Sequence, residues 1–121
     1  MAWTVVFDDV FDREFETLAD GVQDALLASA KLLAEYGPRL GRPHVDTLAG
    51  STYANMKELR FEADGGVWRI AFAFDPRRHA ILLVAGDKAG VGGRRFYRAL
   101  IAKADRRYAA HLARLAGTGR G

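Results

Sequence analysis

The chain has 121 residues, half of them hydrophobic and 27% charged, which is the profile of one globular domain. It contains no cysteine, so disulfides and thiolate metal sites are excluded. The N-terminus lacks a signal-like pattern and no apolar run is long enough to cross a membrane, so the sequence predicts a cytoplasmic protein without membrane contact.

The net charge of +3 conceals a polarity along the chain. Residues 1–35 carry eight acids and two bases, residues 36–75 carry five of each, and residues 76–121 carry two acids and eleven bases. A basic C-terminal half indicates a polyanionic partner, with nucleic acid as the first candidate. The acidic segment would then face elsewhere.

The first third of the chain predicts one strand and two helices. Alternation over residues 3–7 is typical of a short strand that joins a larger sheet. Three aspartates around its end supply N-cap acceptors for a helix over about residues 10–19. Asp20 and Gln23 resemble a capping box for a second helix over residues 20–36, which a Gly-Pro pair ends. One long bent helix is the alternative.

The middle of the chain predicts a three-stranded antiparallel meander over residues 56–88. Short runs rich in β-branched and aromatic residues are divided by turn sequences at 63–66 and 75–78. The run at 80–85 is apolar on both faces and is predicted to be the innermost strand. The preceding segment, 39–54, is predicted to be an ordered loop.

A glycine-rich segment at 86–93 is predicted to be a flexible loop, and it matches neither a P-loop nor a dinucleotide fingerprint. A last helix is predicted over about residues 94–116. One side of this helix carries a basic stripe, which consists of Lys103, Arg106, Arg107 and Arg114. We interpret this stripe as a solvated face that also adds electrostatic attraction for a polyanion. The domain is therefore assigned to residues 1–116 and a flexible tail to residues 117–121.

The turn at 63–66 sets the register of the first hairpin and places Arg60 opposite Arg69. Like charges directly opposite each other are unfavourable, so this pair invites a phosphate as counter-ion. The alternative is that Glu58 and Glu62, on the same face of the same strand, neutralise Arg60 and make an ordinary solvated surface.

The polar side chains around the predicted sheet favour one kind of chemistry. The three histidines are isolated, which argues against a metal site, and no serine lies in a nucleophile elbow. What remains is a set of cations and a phenol: Lys57, Arg60, Arg69, Arg77, Arg78, Lys88 and Tyr97. Such groups suit metal-independent cleavage of RNA, in which the 2′-hydroxyl attacks and cations stabilise the pentavalent transition state.

The ordered series of motifs at 56–60, 68–78 and 80–88, followed by Phe96-Tyr97 ahead of a closing helix, resembles the phage-related HigB-like toxins of the RelE/ParE superfamily. The resemblance covers nearly the whole chain. It implies an α+β fold in the order β-α-α-β-β-β-α, with the antiparallel meander packed against helices.

The resemblance also implies a function. The chain would be the toxin of a type II toxin-antitoxin system, a ribosome-dependent endoribonuclease (mRNA interferase) that cuts translated mRNA without a cofactor and so inhibits translation. Its partners would be the ribosome, mRNA and a helix-turn-helix antitoxin of the HigA-like kind. Two alternatives share the fold: a gyrase poison of the ParE type, and an inactive descendant that only regulates transcription with its antitoxin.

Carried over to this chain, the resemblance implies that Arg60 and Arg69 bind the scissile phosphate. Lys57 and Lys88 would act as general base or charge stabiliser. Tyr97 would stack on a base, with core packing as the alternative. The remaining predicted substrate-binding residues are Arg77 and Arg78.

Overall fold

The structure of the protein is a computed structural model that describes residues 2–88 and 91–118. The strands and helices, in chain order, are β1 (Thr4–Phe7), α1 (Asp9–Phe15), α2 (Asp20–Tyr36), β2 (Val45–Thr47), β3 (Met56–Ala63), β4 (Gly66–Phe74), β5 (His79–Asp87) and α3 (Gly93–Thr118), and a 3-10 turn follows α2 at Gly37–Arg39. None of the described helices has the length and apolar character needed to span a membrane.

The strands form one sheet in the order β1-β5-β4-β3-β2. The predicted meander of β3, β4 and β5 is confirmed, and β1 lies parallel to β5 as its outer neighbour. Two expectations were wrong. The middle strand is β4 rather than β5, and the predicted loop contains an additional short strand, β2, which pairs with β3.

Both faces of the sheet are covered, which explains the apolar character of β5 on its two sides. Helix α3 packs on one face over Ile81, Leu83 and Met56. The other face, with Ile70, Phe72 and Leu82, packs against α1 and α2 through Phe11, Leu26 and Leu33. The α+β fold expected from the sequence is therefore confirmed as three layers, with helices on both faces of a five-stranded sheet.

The helix boundaries follow partly from the predicted caps. Asp8 caps α1, because its carboxylate accepts hydrogen bonds from the backbone N–H groups of Val10 and Phe11. The predicted capping box of α2 is wrong. Ala19 occupies the N-cap position, and Gln23 instead donates to the carbonyl of Phe15, which joins α2 to the end of α1.

The glycine that ends α2 is required by a close contact. Gly37 has a φ of 55°, and a Cβ atom there would lie 2.3 Å from the ring of Trp3. Only glycine fits both the left-handed backbone and that ring. This position thereby fixes β1 against the C-terminal end of α2.

Helix α3 begins one residue before the predicted start and continues through Thr118, two residues into the segment assigned to a flexible tail. Residues 119–121 lie outside the described part, as do residues 89 and 90 of the glycine-rich segment. One member of the basic stripe is not solvated. Arg107 is 13% exposed and donates to Glu14 of α1 and to the carbonyl of Leu83 in β5.

A buried carboxylate ties the C-terminal half of α3 to the turn between β4 and β5. Asp75 accepts hydrogen bonds from the backbone N–H groups of Arg77 and His79, and it lies 2.9 Å from Nε2 of His111. Burial by itself would raise the pKa of Asp75, but these hydrogen bonds outweigh it and leave the pKa below its usual 3.8.

This lowered pKa makes the stability contribution of Asp75 dependent on pH. The native state favours the ionised carboxylate, so the contribution is fully present above pH 3.8 and is lost as the pH falls below that value. We expect Asp75→Asn to unfold at lower urea concentration than the parent chain at neutral pH. The difference between the two urea midpoints should shrink below pH 3.8; a constant difference would contradict the assignment.

Candidate active site

The two sheet arginines stand opposite each other, as the sequence predicts. Arg60 of β3 pairs with Arg69 of β4. The N–H of Arg60 points away from β4 and donates to the carbonyl of His44. The arginines therefore form a non-hydrogen-bonded pair, the kind whose Cα atoms lie only about 4.5 Å apart. Both side chains project from the face that α3 covers.

A buried carboxylate lies between these arginines and α3. Glu58 is 2% exposed and forms an ion pair with Nε of Arg60. It also accepts a hydrogen bond of 3.1 Å from the hydroxyl of Tyr97, and Nε of Arg69 lies 4.0 Å away. Neutralisation of Arg60 by Glu58, the alternative derived from the sequence, is thus present, but the carboxylate is buried and only the arginine reaches the surface.

Arg69 is held by aromatic rings. Its guanidinium carbon lies 5.8 Å from the ring centres of both Phe96 and Tyr97. The space for Phe96 comes from Gly86, which pairs with Arg69 across the sheet, because a Cβ atom there would lie 2.8 Å from that ring. Within the described residues, the buried Nε of Arg69 has no hydrogen-bond partner. The cluster therefore contains one buried donor that is left without an acceptor among these residues.

The protonation of the cluster follows from its burial. Burial, reinforced by the negative charge of Glu58, raises the pKa of Tyr97, so the phenol stays protonated and donates at neutral pH. The hydrogen bond to Glu58 raises the pKa of Arg60. Two permanent cations and a proton donor thus surround one buried carboxylate. We name Glu58, Arg60, Arg69 and Tyr97 the arginine cluster.

The predicted lysines are placed differently from each other. Lys57 alternates with Glu58 along β3, so it projects from the opposite face of the sheet and does not join the arginine cluster. Lys88 follows β5 two residues after Gly86. Its Nζ lies beside Gly93, 3.4 Å from where a Cβ atom of that residue would be. Lys88 therefore borders the first turn of α3 at Gly93, which precedes Tyr97 by four residues.

The two remaining predicted residues lie at the far end of the meander. Arg77 and Arg78 occupy the turn between β4 and β5, five or more strand residues beyond Arg69, or roughly 20 Å at the rise of a strand. The guanidinium carbon of Arg78 lies 4.5 Å from the centre of the Trp3 ring. The structure does not bring these arginines together with the arginine cluster.

The sequence analysis did not identify Glu58 as the centre of the cluster. The signal was present, since a carboxylate two residues before Arg60 shares its face, but burial by α3 cannot be read from that spacing. Within the described residues, no group of three or more histidine, aspartate or glutamate side chains is arranged to hold a metal ion. The cluster offers instead two guanidinium groups and a phenol, which are groups that can bind a phosphate and donate a proton.

Comparison with known proteins agrees with the fold and with the resemblance drawn from the motifs. The family model described as "Phage derived protein Gp49-like (DUF891)" matches residues 13–109. Two proteins of Mycobacterium tuberculosis, "Putative toxin HigB2" and "Putative toxin HigB3", are each 47% identical to this chain over 96 residues. The matches cover 78% and 79% of this chain, and 47% and 82% of the respective relatives. The chain thus spans about half the length of the first relative, "Putative toxin HigB2".

A solved structure shares the architecture. The free state of a double mutant of E. coli toxin RelE superposes with a TM-score of 0.60, covering 85% of this chain and 97% of that one, at 15% sequence identity. At this identity the similarity establishes the fold alone.

Removing the buried carboxylate tests the geometry of the cluster. We expect Glu58→Ala to lower the free energy of unfolding by about 2 kcal/mol, because Arg69 then stays buried without a counter-ion; the loss is smaller than for a fully buried pair because Arg60 remains in contact with water. Glu58→Gln keeps the shape of the side chain, so its free energy of unfolding should fall by less than that of Glu58→Ala. Urea unfolding measures both.

Glu62 provides the matched control, because it is an exposed glutamate on the same face of the same strand. Glu62→Ala should change the free energy of unfolding by no more than about 0.5 kcal/mol. Equal losses for the Glu58 and Glu62 variants would contradict the buried ion pair.

Proposed function

Because the chain belongs to the Gp49-like family of phage-derived proteins, we propose that it is the toxin of a toxin-antitoxin system and acts as a metal-independent endoribonuclease on translated mRNA. The names of the two HigB relatives support the toxin assignment. The observation that carries the reaction is the arginine cluster, in which two opposed guanidinium groups lie beside one buried carboxylate.

In the proposed reaction the arginines hold the scissile phosphate. The 2′-hydroxyl of the RNA attacks phosphorus and gives its proton to water, while the bond to the 5′-oxygen breaks and that oxygen takes a proton from water. Negative charge develops on the non-bridging oxygens, where Arg60 and Arg69 stabilise it. Glu58 orients Arg60 and accepts the hydrogen bond of Tyr97, which makes it a positioning residue.

The other cations receive separate roles in this proposal. Lys88, beside the first turn of α3, would attract the phosphate backbone toward the cluster. Arg77 and Arg78 would contact RNA away from the scissile phosphate, so their loss should raise KM and leave kcat unchanged. Lys57, on the other face of the sheet, is left without a part in the chemical step.

The proposed partners are those of a translation-dependent enzyme: the ribosome with its mRNA as target, and an antitoxin of the HigA-like kind as inhibitor. The basic composition of α3 and the segment before it favours a polyanionic target over a gyrase protein surface.

Replacing either arginine should remove cleavage and spare the fold. We expect Arg60→Lys and Arg69→Lys to lower the rate of mRNA cleavage by about 100-fold, because lysine keeps the charge but loses the bidentate geometry. Mapping RNA 5′ ends on translated and untranslated copies of one message measures the effect. Arg42→Ala, which removes an exposed arginine at the sheet edge, is the control and should cut like the parent chain.

The same experiment separates the competing functions. Cuts on the translated copy alone would support the ribosome-dependent enzyme. Growth arrest with intact mRNA would overturn it in favour of another target such as gyrase, and retained cleavage in both lysine variants would overturn the site.

A further inference from the structure

A groove runs along α3 beside the arginine cluster. It has a volume of about 450 Å³, which lies within the range of small-ligand sites. Its floor is formed by Tyr97, Ile101 and Ala102 of α3, and Gly50 of the loop between β2 and β3 lies on its other side. Tyr97 belongs to both places, because its hydroxyl donates to Glu58. The groove thus begins where the arginine cluster ends.

A carboxylate of α3 fixes the loop that forms this second wall. Asp105 accepts hydrogen bonds from the hydroxyl of Ser51 and from the backbone N–H of Thr52. Gly50, directly before them, has a φ of 98°, and a Cβ atom there would lie 3.5 Å from Ile101. Both carboxylate oxygens of Asp105 are engaged in these contacts, so the wall is held against α3 without a ligand.

Two exposed arginines, Arg94 and Arg98, line the groove. They lie one turn of α3 apart, about 5.4 Å along the helix axis. Within residues 2–88 and 91–118, neither arginine has an ion-pair or hydrogen-bond partner. The partial positive charge at the start of α3 adds to the charge of Arg94. Cations above an apolar floor are the combination that binds single-stranded nucleic acid, with phosphates at the rim and a base on the floor.

We propose that this groove is a subsite for single-stranded RNA, which seats the base of a nucleotide next to the cleaved one. The base lies on Ile101 and Ala102, and Arg94 and Arg98 hold the phosphates on its two sides. Because Tyr97 joins the groove to the arginine cluster, the strand leaves the scissile phosphate along α3. That the strand is a substrate rests on the function proposed above.

Three probes test the proposal on the full chain by fluorescence anisotropy. The first is a 2′-O-methyl RNA oligomer of mixed sequence, which lacks the attacking hydroxyl and stays intact. The second has the same length and sugar-phosphate backbone but no bases. The third is a glutamate-rich peptide of equal charge, which represents an acidic protein partner.

Two variant pairs accompany these probes. Ala102→Leu extends a bulky side chain into the groove, and Ala109→Leu adds the same side chain on the same side of α3, two turns further on. Arg98→Ala removes a cation from the groove. Arg95→Ala removes the same charge from the side of α3 that faces Val84 of β5. Circular dichroism and thermal unfolding verify that all four variants fold.

We expect the parent chain to bind the oligomer with bases about tenfold more tightly than the oligomer without them. Ala102→Leu should remove this preference, and Ala109→Leu should retain it. Arg98→Ala should weaken binding of both oligomers by about tenfold, and Arg95→Ala by less. Equal affinity of the parent chain for both oligomers, or for the peptide and the RNA, would overturn the subsite. An unchanged preference in Ala102→Leu would do the same.

Cleavage of translated mRNA by the parent chain distinguishes this inference from the proposed function. If the parent chain cuts mRNA while Ala102→Leu and Arg98→Ala bind both oligomers as the parent does, the nuclease assignment stands and the subsite fails. If the parent chain cuts no mRNA, yet its preference for bases is lost in Ala102→Leu, the subsite stands and the nuclease assignment fails.

Discussion

The pairing register between β3 and β4 is the constraint on which both faces of the molecule depend. It places Arg60 against Arg69 and Leu59 against Ile70, so cations meet under α3 and apolar side chains meet under α2. Because side chains alternate along a strand, a slip by one residue would move the arginines into the apolar layer and expose the leucine. The burial of Leu59 and Ile70 on one face thus holds the arginine cluster in place on the other.

The arginine cluster is costly to assemble, and α3 makes it possible. Two arginines side by side repel each other, and a carboxylate as buried as Glu58 loses its hydration. The ion pair with Arg60, the hydrogen bond from Tyr97 and the rings beside Arg69 offset these costs together. The first turns of α3 and the sheet arginines therefore form one structural unit.

The C-terminal half of α3 secures that unit from a distance. Arg107 reaches Glu14 of α1 and the carbonyl of Leu83, and His111 meets the buried Asp75. These contacts fix the axis of the helix, and thereby the position of Tyr97 over Glu58. The molecule thus has a basic face built on α3 and an acidic face built on α1 and α2, and each attracts partners of the opposite charge.

The sequence by itself determined the order of the elements, the meander and the opposition of Arg60 and Arg69, because turn chemistry and strand alternation are local properties. It also carried the family resemblance. It did not reveal β2, whose three residues pair only because β3 offers an edge, nor the central position of β4. The capping box at Asp20 was wrong, because Gln23 found a partner at the end of α1.

Only the tertiary structure decided which cations act together. Seven polar side chains looked equivalent along the chain, yet the fold brings only Arg60, Arg69 and Tyr97 of them together around Glu58. Lys57 lies on the other face of the sheet, and Arg78 packs on the ring of Trp3 at the far end of the meander. It also turned Glu58 from a surface counter-ion into the buried centre of the site. Burial and long-range contact depend on how α3 closes over the sheet, and no local pattern of residues contains that information.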